Sequence, residues 1–279
     1  MDYKAQHFNL AATLECGQTF RFAKDGDGYH VVAGRRRAFI TQKGDLVKFR
    51  LSDKTDGAFW VRLFDLERDY GEIMGRLAES DAVLHKAARF APGIRIMNQD
   101  PWETLVCFII SANNRIPMIM KVVSNIARRF GPLIGGDVHA MPSPEVLAGA
   151  ALSDLAACKT GFRGRYILNA AGSVADGALT LRHDPGMNTD RLRQSLMSVK
   201  GVGAKIADCV MLFSLERREV FPVDVWIARA MRLLYFGGKD ASLTDIAALA
   251  KDKFGENAGY ANQLIFHYAR TTALRQEVS

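Results

Sequence analysis

The chain has 279 residues, 48% of them hydrophobic, and a formal net charge of +7. This length and apolar content suffice for one large or two modest domains, and the basic excess favours a polyanionic partner. Because no run of about 18 apolar residues indicates a membrane span and the N-terminus has no apolar signal core, we expect a cytoplasmic protein with no membrane partner.

The first fifty residues predict an antiparallel β-sheet, because short runs rich in β-branched and aromatic residues alternate with turn residues. The runs are 19–23, 29–33, 38–42 and 46–51. The three arginines at 35–37 are expected in a solvated hairpin turn, with a phosphate contact as the alternative. After residue 57 the pattern becomes helical. We therefore predict an α+β protein in which an N-terminal antiparallel sheet domain (1–90) packs on a mainly helical body (91–279).

Several helices of the body have recognisable starts. Asp100 can cap a helix in which Pro101 is the first residue and Glu103 closes a capping box. The run 105–112 is apolar on all sides, so this helix is expected at the centre of the body. Further helix boundaries are expected at Ser143, Ser153 and Gly161.

Residues 199–225 carry the most specific pattern of the chain. Gly201 and Gly203 flank one apolar residue, which permits a tight turn and lets backbone amides approach a phosphate. Apolar residues at helical spacing lead into the turn from Leu192 and continue after it from Ile206. This pattern predicts a helix-hairpin-helix with its second helix starting near Gly203. An ordinary turn between two helices, with a surface lysine, is the alternative.

Lys205 and Asp224 are the candidate catalytic residues. Lys205 lies in the first turn of the second helix, where the positive end of the helix disfavours an ammonium and favours the neutral amine that a nucleophile requires. Asp224 precedes another run with helical periodicity and could serve only as its N-cap. The combination of Asp224 with the hairpin and Lys205 favours a catalytic carboxylate.

Two segments, 199–209 and 221–225, resemble the signature of the helix-hairpin-helix (HhH-GPD) DNA glycosylases that carry a lysine and a downstream aspartate. Within that superfamily the 8-oxoguanine branch is the most similar, because four further segments agree in order along nearly the whole chain. These segments are 17–21, 99–103, 111–114 and 161–166.

The resemblance implies a bifunctional 8-oxoguanine DNA glycosylase and abasic-site lyase of base excision repair. Such an enzyme flips 8-oxoguanine out of duplex DNA, excises it through a lysine Schiff base and cleaves the abasic site by β-elimination. The expected partner is double-stranded DNA containing an oxidised purine, and the expected state is a monomer. A monofunctional alkylpurine glycosylase and a non-catalytic DNA-binding hairpin module are the alternatives.

The resemblance also assigns a pocket for the flipped base. The carbonyl of Gly17 is expected to accept the N7–H that distinguishes 8-oxoguanine from guanine, whose N7 would leave a buried carbonyl unpaired at a cost of about 1–3 kcal/mol. Phe266 is expected to stack on the purine, with Cys209 on the opposite face. Either Asn262 or Gln263 is expected to read the Watson–Crick edge.

A second set of residues is implied to contact the DNA around the gap. Asn113 and Asn114 form a turn that enters the minor groove, with Asn113 contacting the orphaned partner base. Phe162 matches an aromatic wedge, and Arg163 a second contact to the opposite base. Met118 replaces an arginine that donates to cytosine opposite the lesion, so weaker discrimination for cytosine is expected.

No redox cofactor is expected. The cysteines occur singly, without a Cys-x-x-Cys pair, and the histidines lack metal-ligand spacing, so neither a zinc site nor an iron–sulfur cluster is predicted. The cysteines are Cys16, Cys107, Cys158 and Cys209. The resemblance implies that the backbone at Gly201 and Gly203 contacts a DNA phosphate, and that the hairpin carbonyls hold a cation bridging to it.

Overall fold

The N-terminal part of the protein is a five-stranded antiparallel sheet. A computed structural model describes residues 1–90 and 92–271, so 272–279 of the predicted helical domain lie outside it. The strands are β1 (Asp2–Lys4), β2 (Phe22–Asp25), β3 (Gly28–Ala33), β4 (Arg36–Lys43) and β5 (Leu46–Leu51). Their order across the sheet is β1-β5-β4-β3-β2. The predicted antiparallel sheet is therefore confirmed, with β1 as an additional short edge strand.

The rest of the protein is mainly helical, as predicted. The helices are α1 (Leu10–Glu15), α2 (Gly57–Leu63), α3 (Tyr70–Ser80), α4 (Ala82–Phe90), α5 (Pro101–Ser111), α6 (Ile116–Phe130), α7 (Pro144–Ala148), α8 (Leu152–Ala157), α9 (Arg163–Ala175), α10 (Thr189–Met197), α11 (Ala204–Ser214), α12 (Val225–Tyr235), α13 (Leu243–Phe254) and α14 (Ala258–Thr271). Among the described residues, none of these helices combines the length and the apolar character needed to cross a bilayer.

Two apolar clusters form the interior. One lies between the sheet and helices α1 and α2, where Ile40 and Phe49 contact a group that includes Trp60 and Phe64. The other joins the helices from α3 to α14 into the helical body. Helices α3 and α4 belong to this second cluster although they precede residue 91. The domain boundary drawn from the sequence stays a prediction.

Helix α5 lies at the centre of the body, as its apolar sequence predicts. Thr104 and the six residues that follow it are all buried. Asp100 caps the helix by accepting from the amide of Glu103 at 2.8 Å. The predicted capping box is wrong, because the Glu103 carboxylate accepts from Arg21 Nη1 at 3.3 Å and from the amide of Gly34 at 3.4 Å. Glu103 therefore connects α5 to the sheet.

Four local predictions differ from the structure. The first predicted strand starts at Phe22 and not at residue 19, since Gln18 is drawn into buried hydrogen bonds. Helix α8 begins at Leu152, ahead of Ser153, without a side-chain cap, and it ends before Gly161, which lies in the turn to α9 with φ of +58°. Two of the three arginines at 35–37 are not solvated turn residues. Arg36 and Arg37 belong to β4, where they bond to Asp56 and to the carbonyl of Gly135.

Candidate active site and DNA interface

The predicted helix-hairpin-helix is present, with residues 199–203 (hereafter the hairpin) between α10 and α11. The hairpin is closed by the amide of Val202, which donates to the carbonyl of Val199 at 3.0 Å. Gly201 has φ of +96°, and a Cβ there would lie 2.2 Å from Cγ of Tyr166. Gly203 is exposed, with open space where a Cβ would stand. The first amides of α11 are therefore accessible to an anion.

Lys205 projects from the first turn of α11 towards the end of α5. Its Nζ donates to Oγ of Ser111 at 3.2 Å and lies 5.0 Å from the centre of the Phe108 ring. Asp224 caps α12, because its Oδ1 accepts from the amide of Ile227 at 2.8 Å. The N-cap interpretation of Asp224 is therefore confirmed. The cap bond involves Oδ1 and not Oδ2, the second carboxylate oxygen.

A small cavity brings together every residue predicted for catalysis and for the base pocket. These residues are Lys205, Asp224, Gly17, Cys209, Phe266, Asn262 and Gln263. The cavity, hereafter the base cavity, measures about 60 Å³, well below the range of about 300–1,000 Å³ typical of ligand pockets. A purine ring can enter only if its walls move apart. Phe108 also lines the cavity. The sequence analysis could not single it out, because nearly all its neighbours in α5 are apolar as well.

The two amides of the base cavity have different partners. Nδ2 of Asn262 donates to the carbonyl of Pro222 at 2.9 Å, which ties α14 to the segment that carries Asp224. The neighbouring Gln263 is 5% exposed, and its Oε1 has no hydrogen-bond partner. A buried acceptor without a donor costs about 1–3 kcal/mol, and a donor group of a ligand in the base cavity would remove that cost.

The loop at Gly17 is fixed by its neighbour Gln18, which the sequence analysis did not identify. Nε2 of Gln18 donates to the carbonyls of Thr13 and Arg95, and its Oε1 accepts from the amide of Met97 at 2.8 Å. Gly17 has φ of +92°, and a Cβ there would lie 3.3 Å from Nη1 of Arg270. Arg270 was also missed, since it lies on the last helix, far from Gly17 in sequence.

The thiols in the base cavity are neutral near pH 7. Burial raises the pKa of Cys209 to about 12, although the positive charge of Lys205 opposes the shift. Burial likewise raises the pKa of Cys16 to about 11. Because a thiolate and not a thiol is the nucleophile, neither cysteine competes with Lys205.

An open groove of about 610 Å³ adjoins the base cavity and is hereafter the DNA groove. Its walls include Asn113, Asn114 and Arg229. Lys205 and Asp224 line both the DNA groove and the base cavity. The two candidate catalytic groups therefore stand where the small base cavity meets the open DNA groove.

The residues predicted to surround the gap in the DNA are largely exposed. Residues 112–115, hereafter the Asn turn, follow α5, and Asn113 adopts the left-handed conformation with φ of +48°. Asn114 caps α5 by donating from Nδ2 to the carbonyl of Ile110 at 3.1 Å. Phe162 is 55% exposed and Met118 is 44% exposed. The Arg163 guanidinium, in contrast, donates to carbonyl groups of the Asn turn.

Comparison with known proteins agrees with this arrangement. Residues 1–105 match the family model of the 8-oxoguanine DNA glycosylase N-terminal domain, and 106–255 match that of HhH-GPD superfamily base excision DNA repair proteins. The N-glycosylase/DNA lyase OGG1 of Arabidopsis thaliana is 30% identical over 282 residues, which cover 92% of this chain and 76% of that protein.

Two solved structures are similar over almost the whole chain. The structure of MBOgg1 with a low affinity DNA ligand has a TM-score of 0.92 and 40% identity, covering 96% of this chain and 94% of that one. The Clostridium acetobutylicum 8-oxoguanine glycosylase/lyase, in complex with double-stranded DNA containing cytosine opposite 8-oxoguanine, has a TM-score of 0.89 and 35% identity, with 97% of each chain covered. With both family models matched in order, this chain belongs to the 8-oxoguanine DNA glycosylase family of the HhH-GPD superfamily.

Proposed function

We propose that this protein excises 8-oxoguanine from duplex DNA and then cleaves the abasic strand by β-elimination, as a bifunctional glycosylase and lyase. The observation that carries the proposal is the position of Lys205 and Asp224, which line both the base cavity and the DNA groove. A flipped base in the cavity and its sugar in the groove bring the glycosidic bond between these two side chains.

The polar groups of the base cavity fit an oxidised guanine. The unpartnered Oε1 of Gln263 requires a donor, and guanine offers N1–H and an amino group on its Watson–Crick edge. Adenine has the acceptor N1 where guanine has N1–H, so it cannot offer this oxygen the two adjacent donors that guanine does. The carbonyl of Gly17 accepts N7–H, which guanine acquires only on oxidation at C8.

Lys205 is the nucleophile in the proposed reaction. As the free amine, its Nζ forms a bond to C1′ while the bond from C1′ to N9 breaks, and the base leaves with that electron pair and takes up the proton that the attacking nitrogen releases. The carboxylate of Asp224 stabilises the positive charge that develops on the sugar. Opening of the sugar ring gives a C1′ imine, and loss of a C2′ proton then expels the 3′ phosphate.

The hairpin supplies the phosphate contact in this proposal. The exposed amides at the start of α11 suit a phosphate on the same face as Lys205. The resemblance to the family also supports a cation held by hairpin carbonyls and shared with that phosphate, and such a cation would add charge neutralisation to the binding of DNA. The monomeric state and the cytoplasmic location stay predictions from the sequence.

The two alternatives lack support from the site. A monofunctional alkylpurine glycosylase relies on water and has no use for an amine at the cavity opening, where Lys205 lies. A DNA-binding module without catalysis has no need for an enclosed cavity with an unpartnered amide oxygen.

Borohydride trapping tests the proposal, because borohydride reduces the imine to a stable amine and leaves the enzyme covalently attached to DNA. The wild type should release 8-oxoguanine, cleave the strand and become trapped. Lys205→Gln should do none of these, while its affinity for the lesion duplex stays near that of the wild type. Lys86→Gln makes the same chemical change at an exposed position on α4, which lines neither the base cavity nor the DNA groove, and should behave as the wild type.

Each opposite outcome excludes one part of the proposal. Undiminished trapping of Lys205→Gln would identify another nucleophile. Base release by the wild type without trapping would indicate a monofunctional enzyme, and binding without base release a DNA-binding module.

A further inference from the structure

Ser111, the last residue of α5, is the hydrogen-bond partner of the proposed nucleophile. Nζ of Lys205 donates to Oγ of Ser111 at 3.2 Å, although the carboxylate of Asp224 lines the same cavity and the same groove. Ser111 is partly buried and lines the DNA groove. The amine of Lys205, which α11 carries, is therefore held by a second helix at the point where the base cavity meets the groove.

The hydroxyl of Ser111 accepts from this amine and does not donate to it. Its hydrogen is donated to the carbonyl of Phe108 at 2.7 Å, because a carbonyl oxygen has no hydrogen to give. The lone pairs of Oγ are what Ser111 presents to Nζ. A hydroxyl that donated its hydrogen to a free amine would occupy the nitrogen lone pair, which is the electron pair that a nucleophile needs.

The ring of Phe108 also attracts the amine. Nζ lies over this ring at 5.0 Å from its centre, and the negative face of an aromatic ring attracts N–H groups. The ring is fixed by two others, since it stacks on Phe213 at a centroid separation of 5.5 Å and meets Phe20 edge-on at 5.8 Å. Phe108 and Ser111 are three residues apart in α5 and so share one face of that helix.

We propose that Ser111 is a positioning residue that orients the nitrogen lone pair of Lys205 towards C1′, with the Phe108 ring as a second support. This inference rests on the proposed function. A free amine has two N–H groups and one lone pair. Because Ser111 and the ring engage the two N–H groups, the lone pair is left for the substrate. Ser111 directly precedes the Asn turn, so the residue that orients the nucleophile adjoins the segment proposed to enter the duplex.

The test compares Ser111→Ala with Ser111→Thr, which keeps a hydroxyl. Single-turnover excision of 8-oxoguanine and borohydride trapping on a preformed abasic site are both measured at saturating enzyme. Ser111→Ala should slow both reactions by about 10- to 100-fold, because both need the lone pair of Nζ to point at C1′. Its affinity for a duplex with a tetrahydrofuran abasic analogue, which cannot form an imine, should stay near that of the wild type. Ser111→Thr should react at nearly the wild-type rates, because a threonine hydroxyl in a helix also bonds a carbonyl of the preceding turn.

Ser214→Ala is the matched control. Ser214 is the last residue of α11 and its hydroxyl donates to the carbonyl of Val210, but it lines neither the base cavity nor the DNA groove, so this variant should react as the wild type. Equal rates in Ser111→Ala and the wild type, or an equal loss in Ser111→Thr, would show that the hydroxyl does not orient the amine. Weaker binding of the analogue duplex with unchanged rates at saturating enzyme would make Ser111 a DNA contact instead.

A measurement without DNA separates this inference from the proposed function. The Phe108 ring should shift the NMR signals of the Lys205 ε-methylene protons upfield, because the amine lies over its face, and Lys205→Gln identifies these signals by their absence. Ser111→Ala should reduce the shift, whether or not the wild type has any activity, and Ser214→Ala should leave it unchanged. An equal shift in Ser111→Ala and the wild type would show that Ser111 does not hold the amine. A wild type that shows the shift but is never trapped on abasic DNA would contradict the proposed function alone.

Discussion

The carboxylate of Asp224 belongs both to the fold and to the site. Oδ1 satisfies the amide of Ile227 at the start of α12, while the side chain lines the base cavity together with Lys205. Asparagine has the same acceptor oxygen and ranks beside aspartate as an N-cap, but it carries no charge. The two roles can therefore be separated by one substitution.

We predict that Asp224→Asn lowers single-turnover excision by orders of magnitude while the melting temperature changes little. The cap remains, but the stabilisation of positive charge on the sugar is lost. Asp224→Ala serves as the comparison, because it removes the cap as well and should cost a further amount of about 1 kcal/mol in unfolding free energy. If Asp224→Asn loses stability and activity together, Asp224 has a purely structural role.

Gln263 and Asn262 also allow base recognition and stability to be tested separately, because only the Asn262 amide is hydrogen-bonded within the protein. We predict that Gln263→Met slows excision of 8-oxoguanine about 10- to 100-fold, as expected for the loss of a hydrogen bond of about 1–3 kcal/mol. Its melting temperature should equal or exceed that of the wild type, because an unpartnered buried oxygen is removed. Single-turnover kinetics and thermal unfolding measure both effects.

Asn262→Leu is the matched variant and should lower the melting temperature, because the carbonyl of Pro222 loses its donor. A lower melting temperature of Gln263→Met with unchanged excision would contradict this account and assign the reading of the base edge to Asn262.

At the residue scale, the sequence predicted those side chains whose roles depend on a local motif. Lys205 lies two residues after Gly203, and Asp224 precedes a periodic run, so each could be identified from its neighbours. Gln18 and Glu103 could not, because their partners lie far away in sequence. Gln18 bonds to Arg95 and Met97, and Glu103 prefers Arg21 of the N-terminal part over its own helix.

At the scale of elements, the hairpin depends on close packing at one of its two glycines. Its two glycines have different surroundings, although the sequence presents them as equivalent. Gly201 is left-handed and faces the ring of Tyr166, whereas Gly203 has a negative φ of −94° and open space beside it. Only the first of the two requires glycine for the fold.

We predict that Gly201→Ala lowers the unfolding free energy by about 1–3 kcal/mol and weakens binding to duplex DNA. The added methyl overlaps the Tyr166 ring and the backbone is strained, so the hairpin must move. Thermal unfolding and DNA titrations measure these effects. Gly203→Ala is the control for stability and should melt near the wild-type temperature; a similar loss in both variants would contradict this account.

Element boundaries were predictable where capping chemistry is explicit and less so elsewhere. The starts of α5, α7 and α12 follow from Asp100, Ser143 and Asp224, each of which accepts a bond from the helix. Helix α8 begins without any side-chain cap, so Ser153 was a misleading signal. Strand β1 has only three residues and no alternation to detect, and its pairing with β5 determines its place.

At the scale of the whole molecule, Glu103 connects the sheet to the central helix of the body. Its carboxylate contacts Arg21 and the amide of Gly34, and it is largely shielded from solvent. Burial raises the pKa of Glu103 from 4.5 to about 6, although Arg21 opposes the shift. The folded protein therefore binds this proton more tightly than the unfolded chain does.

We predict that the stability contributed by this proton is fully present below about pH 4.5 and is lost as the pH rises through about 6. Glu103→Gln is always neutral and lacks the effect. The unfolding free energy of the wild type relative to the variant should thus fall by up to about 2 kcal/mol across this range and stay level above it. Chemical unfolding at a series of pH values measures the difference. A rise with pH would mean that the pairing with Arg21 outweighs burial.

The walls of the base cavity come from four separate stretches of the chain, one of which is α5 with Phe108. Gly17 lies in the N-terminal part, Lys205 and Asp224 lie in the helical body, and Gln263 lies on the last helix. The polar groups proposed to recognise the lesion, Gly17 and Gln263, therefore do not share a segment with the groups proposed to break the bond. Substitutions around residue 17 or along α14 can change which damaged base is accepted while the reacting pair stays intact. In evolutionary terms, lesion preference and chemistry can diverge independently on this scaffold.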